Sequence, residues 1–219
     1  MFCVRVYFVY RVYFDMIAII DYGMGNLRSV QKALEKVGAQ TVVTSDKGKI
    51  ARANKVVLPG VGAIRPAMER LKELGLVDVI HSAIKNGTPF LGICLGLQLL
   101  FEKSFEGGEV SGLGVLPGSV TVFRGEGLKV PHMGWNQLKV RADCPMYNGV
   151  PDGSNVYFCH SYFVRLTGNE HDNTIASLTD YNGFLFVSSV CRKNLWAVQF
   201  HPEKSQKIGL NILENFVRL

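Results

Sequence analysis

The chain has no C-x-x-C pair, no block of consecutive Lys and Arg, no internal repeat, no low-complexity tract and no linker. Its five cysteines, Cys3, Cys94, Cys144, Cys159 and Cys191, are odd in number. A zinc site and a secreted disulfide framework are therefore not expected, and a reducing cytoplasm fits. No group of His, Cys, Asp and Glu has metal-ligand spacing, so neither a metal nor another cofactor is expected. The net charge is +6. With its basic residues scattered, this reads as a solvated surface facing an acidic partner or a phosphorylated metabolite, and not as a nucleic-acid groove.

What is present suits one α/β domain. A chain of 219 residues, 47% hydrophobic and 19% charged, can bury a large core without staples. Residues 1–15, MFCVRVYFVYRVYFD, are apolar but carry Arg5 and Arg11 and no cleavage site. They are neither a good signal peptide nor long enough to span a membrane. Met16 opens MIAIIDYGMGN, which reads as a natural domain start. Residues 1–15 then follow from a start placed too far upstream, or form an edge strand or interaction arm. Residues 16–219 are expected to form the domain.

Apolar runs without alternation alternate with helical patterns through the first half. Strands are expected at Met16–Asp21, Thr41–Thr44, Lys55–Leu58 and Phe90–Ile93. Helices are expected after the Asn26 N-cap, at Ala67–Leu74, at Val77–Lys85 and at Leu95–Lys103. The second half predicts strands at Ser119–Phe123, Gln137–Val140, Val156–Cys159, Thr174–Leu178, Leu185–Val190 and Leu195–Phe200, then a helix over Ser205–Leu219. The expected fold is α/β: an open, mostly parallel central sheet with helices on both faces and a mixed or antiparallel C-terminal half.

Three segments carry chemistry. Gly92-Ile-Cys94-Leu-Gly96 lies between a strand and a helix and has the form of a nucleophile elbow. Flanking glycines allow the sharp turn, and the helix start favours a sulfur anion. A core cysteine between packing glycines is the other reading. His201-Pro-Glu203 closes an apolar strand. Proline forbids helix there and holds His201 extended, so residues i and i+2 project to one side and the carboxylate can orient the imidazole. In Pro59-Gly-Val61-Gly62, glycines let backbone N–H groups turn outward as an oxyanion site requires, and a plain strand-to-helix turn explains the segment equally well.

Pro-Gly-Val-Gly, Gly-Ile-Cys-Leu-Gly-Leu-Gln and Gln-Phe-His-Pro-Glu together resemble the class I glutamine amidotransferases, a flavodoxin-like family. The resemblance covers essentially all of Met16–Leu219. Asp21–Asn26, Pro131-His-Met-Gly-Trp-Asn136, Phe158–Tyr162 and His201–Ser205 are similar to one branch, the glutaminase subunits of imidazole glycerol phosphate synthase. The resemblance implies that Cys94 attacks the glutamine side-chain amide, that His201 moves the protons and that Glu203 orients His201. It implies oxyanion donors at Leu95, Val61 and Gly62, and substrate binding by Gln98, Glu106, His160, Ser161 and Tyr162. Asn26, Trp135 and Lys204 align with partner-interface positions.

The implied partner is a (β/α)₈ cyclase subunit in a heterodimer, which uses the ammonia to make imidazole glycerol phosphate and aminoimidazole carboxamide ribotide for histidine biosynthesis. The glutaminase is implied to stay nearly silent until that partner holds its ligand. A paralogue feeding another synthase, such as a sugar amidination enzyme, would carry the same site. Gly23-Met-Gly-Asn-Leu-Arg28 begins like a dinucleotide fingerprint but lacks its third glycine, so no nucleotide cofactor is expected. His132 reads as structural, and His81 and His171 as surface residues.

Overall fold

Met16–Ile20 (β1) is apolar at consecutive positions because both of its faces are covered. Ile17 and Ile19 enter one core cluster, Ala18 and Ile20 the other. The computed structural model describes residues 16–125, 127–141, 144–166 and 174–219. The expectations for residues 1–15 and for His171 lie outside these.

From β1 the chain runs through α1 (Leu27–Lys36), β2 (Gln40–Thr44), α2 (Lys47–Arg52), β3 (Lys55–Gly60), α3 (Ile64–Glu73), α4 (Val77–Lys85), β4 (Phe90–Cys94) and α5 (Leu95–Leu99). Then come β5 (Phe101–Ser104), β6 (Val110–Ser111), β7 (Leu116–Val122), β8 (His132–Gln137), β9 (Lys139–Val140), β10 (Asn155–His160) and β11 (Tyr162–Arg165). The chain ends with β12 (Ile175–Tyr181), β13 (Phe184–Arg192), β14 (Leu195–Val198) and α6 (Gln206–Arg218).

The main sheet has the order β2-β1-β3-β4-β14-β13-β11-β7-β5-β6. From β2 to β14 the pairs are parallel; β14–β13, β13–β11 and β11–β7 are antiparallel. Buried residues of α2, α3 and α4 cover one face of the parallel half, and those of α1 and α6 the other. The chain thus has the expected mixed α/β architecture. Among the described residues no helix is long and apolar enough to cross a membrane. β8 and β10 form a separate antiparallel pair, with His160 opposite His132.

Three local expectations change. The helix expected over Leu95–Lys103 stops at Leu99, and Phe101–Ser104 becomes a strand between β6 and β7. Phe101 and Ser104 are fully buried there, so the ladder and the burial of the ring outweigh helical propensity. The expected strand Gln137–Val140 is divided at Leu138, which is fully buried where the chain leaves β8 for β9. Helix α2 was not expected, since Ile50 is its only buried residue; the Asp46 carboxylate starts it by accepting from Lys49 N–H at 2.7 Å.

Candidate active site

β4 lies between β3 and β14, so the carboxyl ends of three strands meet. Gly60 pairs with Cys94, and Val198 with Ile93. Ligands of open α/β sheets bind outside such strand ends. A cavity of about 320 Å³ opens here. It is lined by Val61, Gly62, Cys94, Leu95, Gln98 and Glu106, by His160, Ser161 and Tyr162, and by His201 and Lys204. The structure therefore gathers eleven of the fourteen candidate residues around one space, leaving out Glu203, Trp135 and Asn26.

The elbow depends on its glycines. A Cβ on Gly96 would sit 1.9 Å from the Leu58 carbonyl oxygen, and one on Gly92 2.9 Å from that of Gly96. Cys94 itself has φ 55°, a conformation few non-glycine residues adopt. Such backbone strain costs on the order of 1–3 kcal/mol and persists only where the surroundings hold it. α5 is only five residues long. The Cys94 side chain makes no hydrogen bond to the N–H groups of its first turn.

His201 is buried, and its Nδ1 lies 2.8 Å from Glu203 Oε1. That leaves Nε2 for the thiol. Burial pulls the imidazole down, but hydrogen bonds with Cys94 and Glu203, together with their charges, push it up to about 10. The ring thus sits between the Cys94 sulfur and the Glu203 carboxylate, a position that favours its protonated form. Glu203 reaches His201 differently from the expectation. His201 is extended, but Pro202–Lys204 form a 3-10 turn, and this turn folds the carboxylate back onto the ring. Among the described residues Glu203 Oε2 is buried without a hydrogen-bond partner. Its side chain stands behind the imidazole, away from the cavity.

The other candidates divide. The Gln98 amide nitrogen donates to the Tyr162 carbonyl at 3.0 Å. Glu106 accepts from Ile64 N–H at 2.9 Å, so one carboxylate oxygen caps α3 while the residue lines the cavity. Gly62 has φ +93°, the freedom that a turning peptide needs. Trp135 is 48% exposed and meets Tyr157 edge-on, and Lys204 Nζ lies 5.7 Å from the centre of the same Tyr157 ring. Asn26 stands apart, its side chain accepting from Ser29 N–H at 3.3 Å to cap α1.

His132 is buried, as a structural reading requires. It stacks on Tyr181 at 4.0 Å and on Phe158 at 4.8 Å. Burial lowers its pKa to about 4 and that of His160 to about 3, so both rings are neutral near pH 7. Gln199 was not singled out, yet its amide nitrogen lies 3.7 Å from Cys94 Sγ. The available signal was its place two residues before His201, the same spacing that drew attention to Glu203.

A family model described as glutamine amidotransferase class-I matches residues 18–219. The chain is 52% identical over 207 residues to imidazole glycerol phosphate synthase subunit HisH of Syntrophotalea carbinolica, covering 92% of this chain and 98% of that relative. It is 55% identical over 201 residues to the protein of the same name from Aquifex aeolicus, covering 91% and 95%. Among solved structures, that of PurLQS from Thermotoga maritima superposes with a TM-score of 0.72 at 21% identity, over 93% of this chain and 97% of that one.

Proposed function

The chain belongs to the class I glutamine amidotransferase family, and on that premise we propose that it is the glutaminase subunit of an imidazole glycerol phosphate synthase, releasing ammonia from glutamine for histidine biosynthesis. The observation that carries the chemistry is the meeting of Cys94 and the Glu203-bound His201 in one cavity.

In this reading Cys94 Sγ attacks the side-chain amide carbon of glutamine. The carbonyl oxygen becomes an oxyanion facing the N–H groups of Leu95 and of the Val61–Gly62 turn. The C–N bond then breaks, the nitrogen taking a proton from His201 and leaving as ammonia. A glutamyl thioester remains on Cys94. His201 next takes a proton from water, whose oxygen attacks the thioester carbon and releases glutamate and the sulfur anion. Glu203 holds the ring and its charge throughout. Gln98, Glu106 and the His160–Tyr162 segment offer polar groups for the amino-acid end of the substrate.

The ammonia acceptor is a partner subunit, and we assign it as a (β/α)₈ cyclase. Ammonium has no lone pair with which to attack, so ammonia must reach the acceptor without passing through bulk water. Exposed apolar side chains beside the cavity favour a covering partner: Met133 is 60% exposed, Trp135 48% and Val61 40%. The work is placed in the cytoplasm, with the rest of a biosynthetic pathway. Glutamate release by the chain alone, with the cyclase, and with the cyclase and its ligand tests the reading. Release should rise strongly only in the last mixture. No release in any mixture, from a chain that binds the cyclase, would refute it.

A further inference from the structure

Gln199 is fully buried, and a buried amide costs free energy unless its donors and acceptor are satisfied. Its neighbours decide which end faces the sulfur. The Tyr162 carbonyl can only accept, so Gln98 must present its NH₂ group there, at 3.0 Å. The same nitrogen lies 3.0 Å from Gln199, which must answer with its oxygen. The NH₂ group of Gln199 is left facing Cys94 Sγ at 3.7 Å.

The Tyr162 carbonyl is held from its other side as well. His160 Nδ1 donates to it at 2.8 Å. A neutral His160 must then accept at Nε2, from His132 Nδ1 at 3.1 Å. His132 Nε2 accepts from the Asn136 amide at 3.3 Å, and that amide also donates to the Asp180 carbonyl at 2.8 Å. Each contact in this run has a single assignable direction: donors from His160 and Gln98 converge on the Tyr162 carbonyl, which can only accept, and from Gln98 the run continues through Gln199 to the sulfur.

We propose that Gln199 is a further catalytic group of this site, its amide N–H donating to the sulfur anion of Cys94 in a direction fixed by the Gln98–Tyr162–His160 contacts. The proposal rests on Cys94 being the nucleophile. A donor to an ionised acceptor is roughly twice as strong as a neutral pair, so the contact favours the attacking form over the thiol. When the sulfur becomes a thioester, the contact weakens.

The test is the rate of iodoacetamide alkylation at Cys94, read by peptide mass spectrometry on the full chain across pH. Gln199→Met keeps length and volume and removes the donor; Gln199→Leu repeats the test with a different shape, should either variant melt early. Losing one hydrogen bond to a charged group lowers the anion fraction about tenfold. The remaining anion is more nucleophilic, with a Brønsted slope of about 0.5, so the net rate near neutral pH should fall about threefold. As rising pH ionises the sulfur in every variant, the gap should close and then reverse, the variants reacting about threefold faster than the wild type. Equal rates at neutral pH, or a gap unchanged at all pH, would overturn the proposal. A wild type labelled at Cys94 by iodoacetamide but never by a glutamine-like chloroketone would instead refute the glutaminase reading, leaving the Gln199 result legible.

Discussion

The two halves of the main sheet contribute in different ways. In the parallel half β3, β4 and β14 end side by side, and the groups proposed to react stand at those ends. Contacts there leave no room: a Cβ on Gly60 would meet the buried Tyr22 side chain at Oη, 2.3 Å away, and one on Gly96 the Leu58 backbone oxygen at 1.9 Å. The antiparallel half, with the β8–β10 pair beside it, supplies a wall of buried rings and a carbonyl at Tyr162. Some of its turns have space to spare: Gly183, in the β12–β13 turn, has nothing within 4 Å of an added Cβ. A strained nucleophile needs neighbours that cannot move, whereas a wall needs only to hold its hydrogen bonds.

Substitutions in the two halves should separate accordingly. Cys94→Ala should lower glutamate release by about 10⁴-fold or more, the scale for losing a nucleophile, with little change in melting temperature. Retained turnover would move the chemistry away from the parallel strand ends. Glu203→Gln should cost on the order of 10²–10⁴ in kcat, since the imidazole loses its orienting charge.

The same variant should alter stability against pH. The folded pKa of His201, about 10, lies above its ordinary 6.5. Its contribution is therefore fully present below about 6.5 and is lost as pH rises through about 10. Chemical denaturation of the wild type across that window should show the fall, and Glu203→Gln should make it smaller, leaving the part that Cys94 contributes.

Gly96→Ala should destabilise by about 3 kcal/mol, because an inserted methyl has no room against backbone. A melting curve like that of the wild type would show that the strand ends can yield. In the antiparallel half, Asn182→Ala should cost only about 1 kcal/mol, the price of a left-handed residue without a short polar side chain. Asn182 has φ 51°. Its glutaminase activity should equal that of the wild type; a loss of activity there would break the division between the halves.

The parallel half was the more legible in sequence, for physical reasons. Strands buried on both faces show as unbroken apolar runs, and Cys94 and His201 stand at the ends of two of them. β5 was hidden because Leu97, Leu99 and Leu100 continue a helix-like pattern, and only pairing with β6 and β7 makes Phe101–Ser104 extended. β8 was hidden because His132–Gln137 carries a glycine and few β-formers, and its order comes from β10. Gln199 escaped because an amide inside an apolar strand shows its purpose only when Cys94, over a hundred residues earlier, is placed beside it. The turn that brings Glu203 onto His201 was likewise out of reach, since Pro202 permits both an extended and a 3-10 path.

The most direct measurement is to mix the chain and its cyclase with glutamine, quench in acid within a turnover, and map any covalent adduct by peptide mass spectrometry. The account predicts a glutamyl group on Cys94, absent from Cys94→Ala. Glutamate formed at full rate with no acyl group on Cys94 at any time, or with one on another residue, would contradict it.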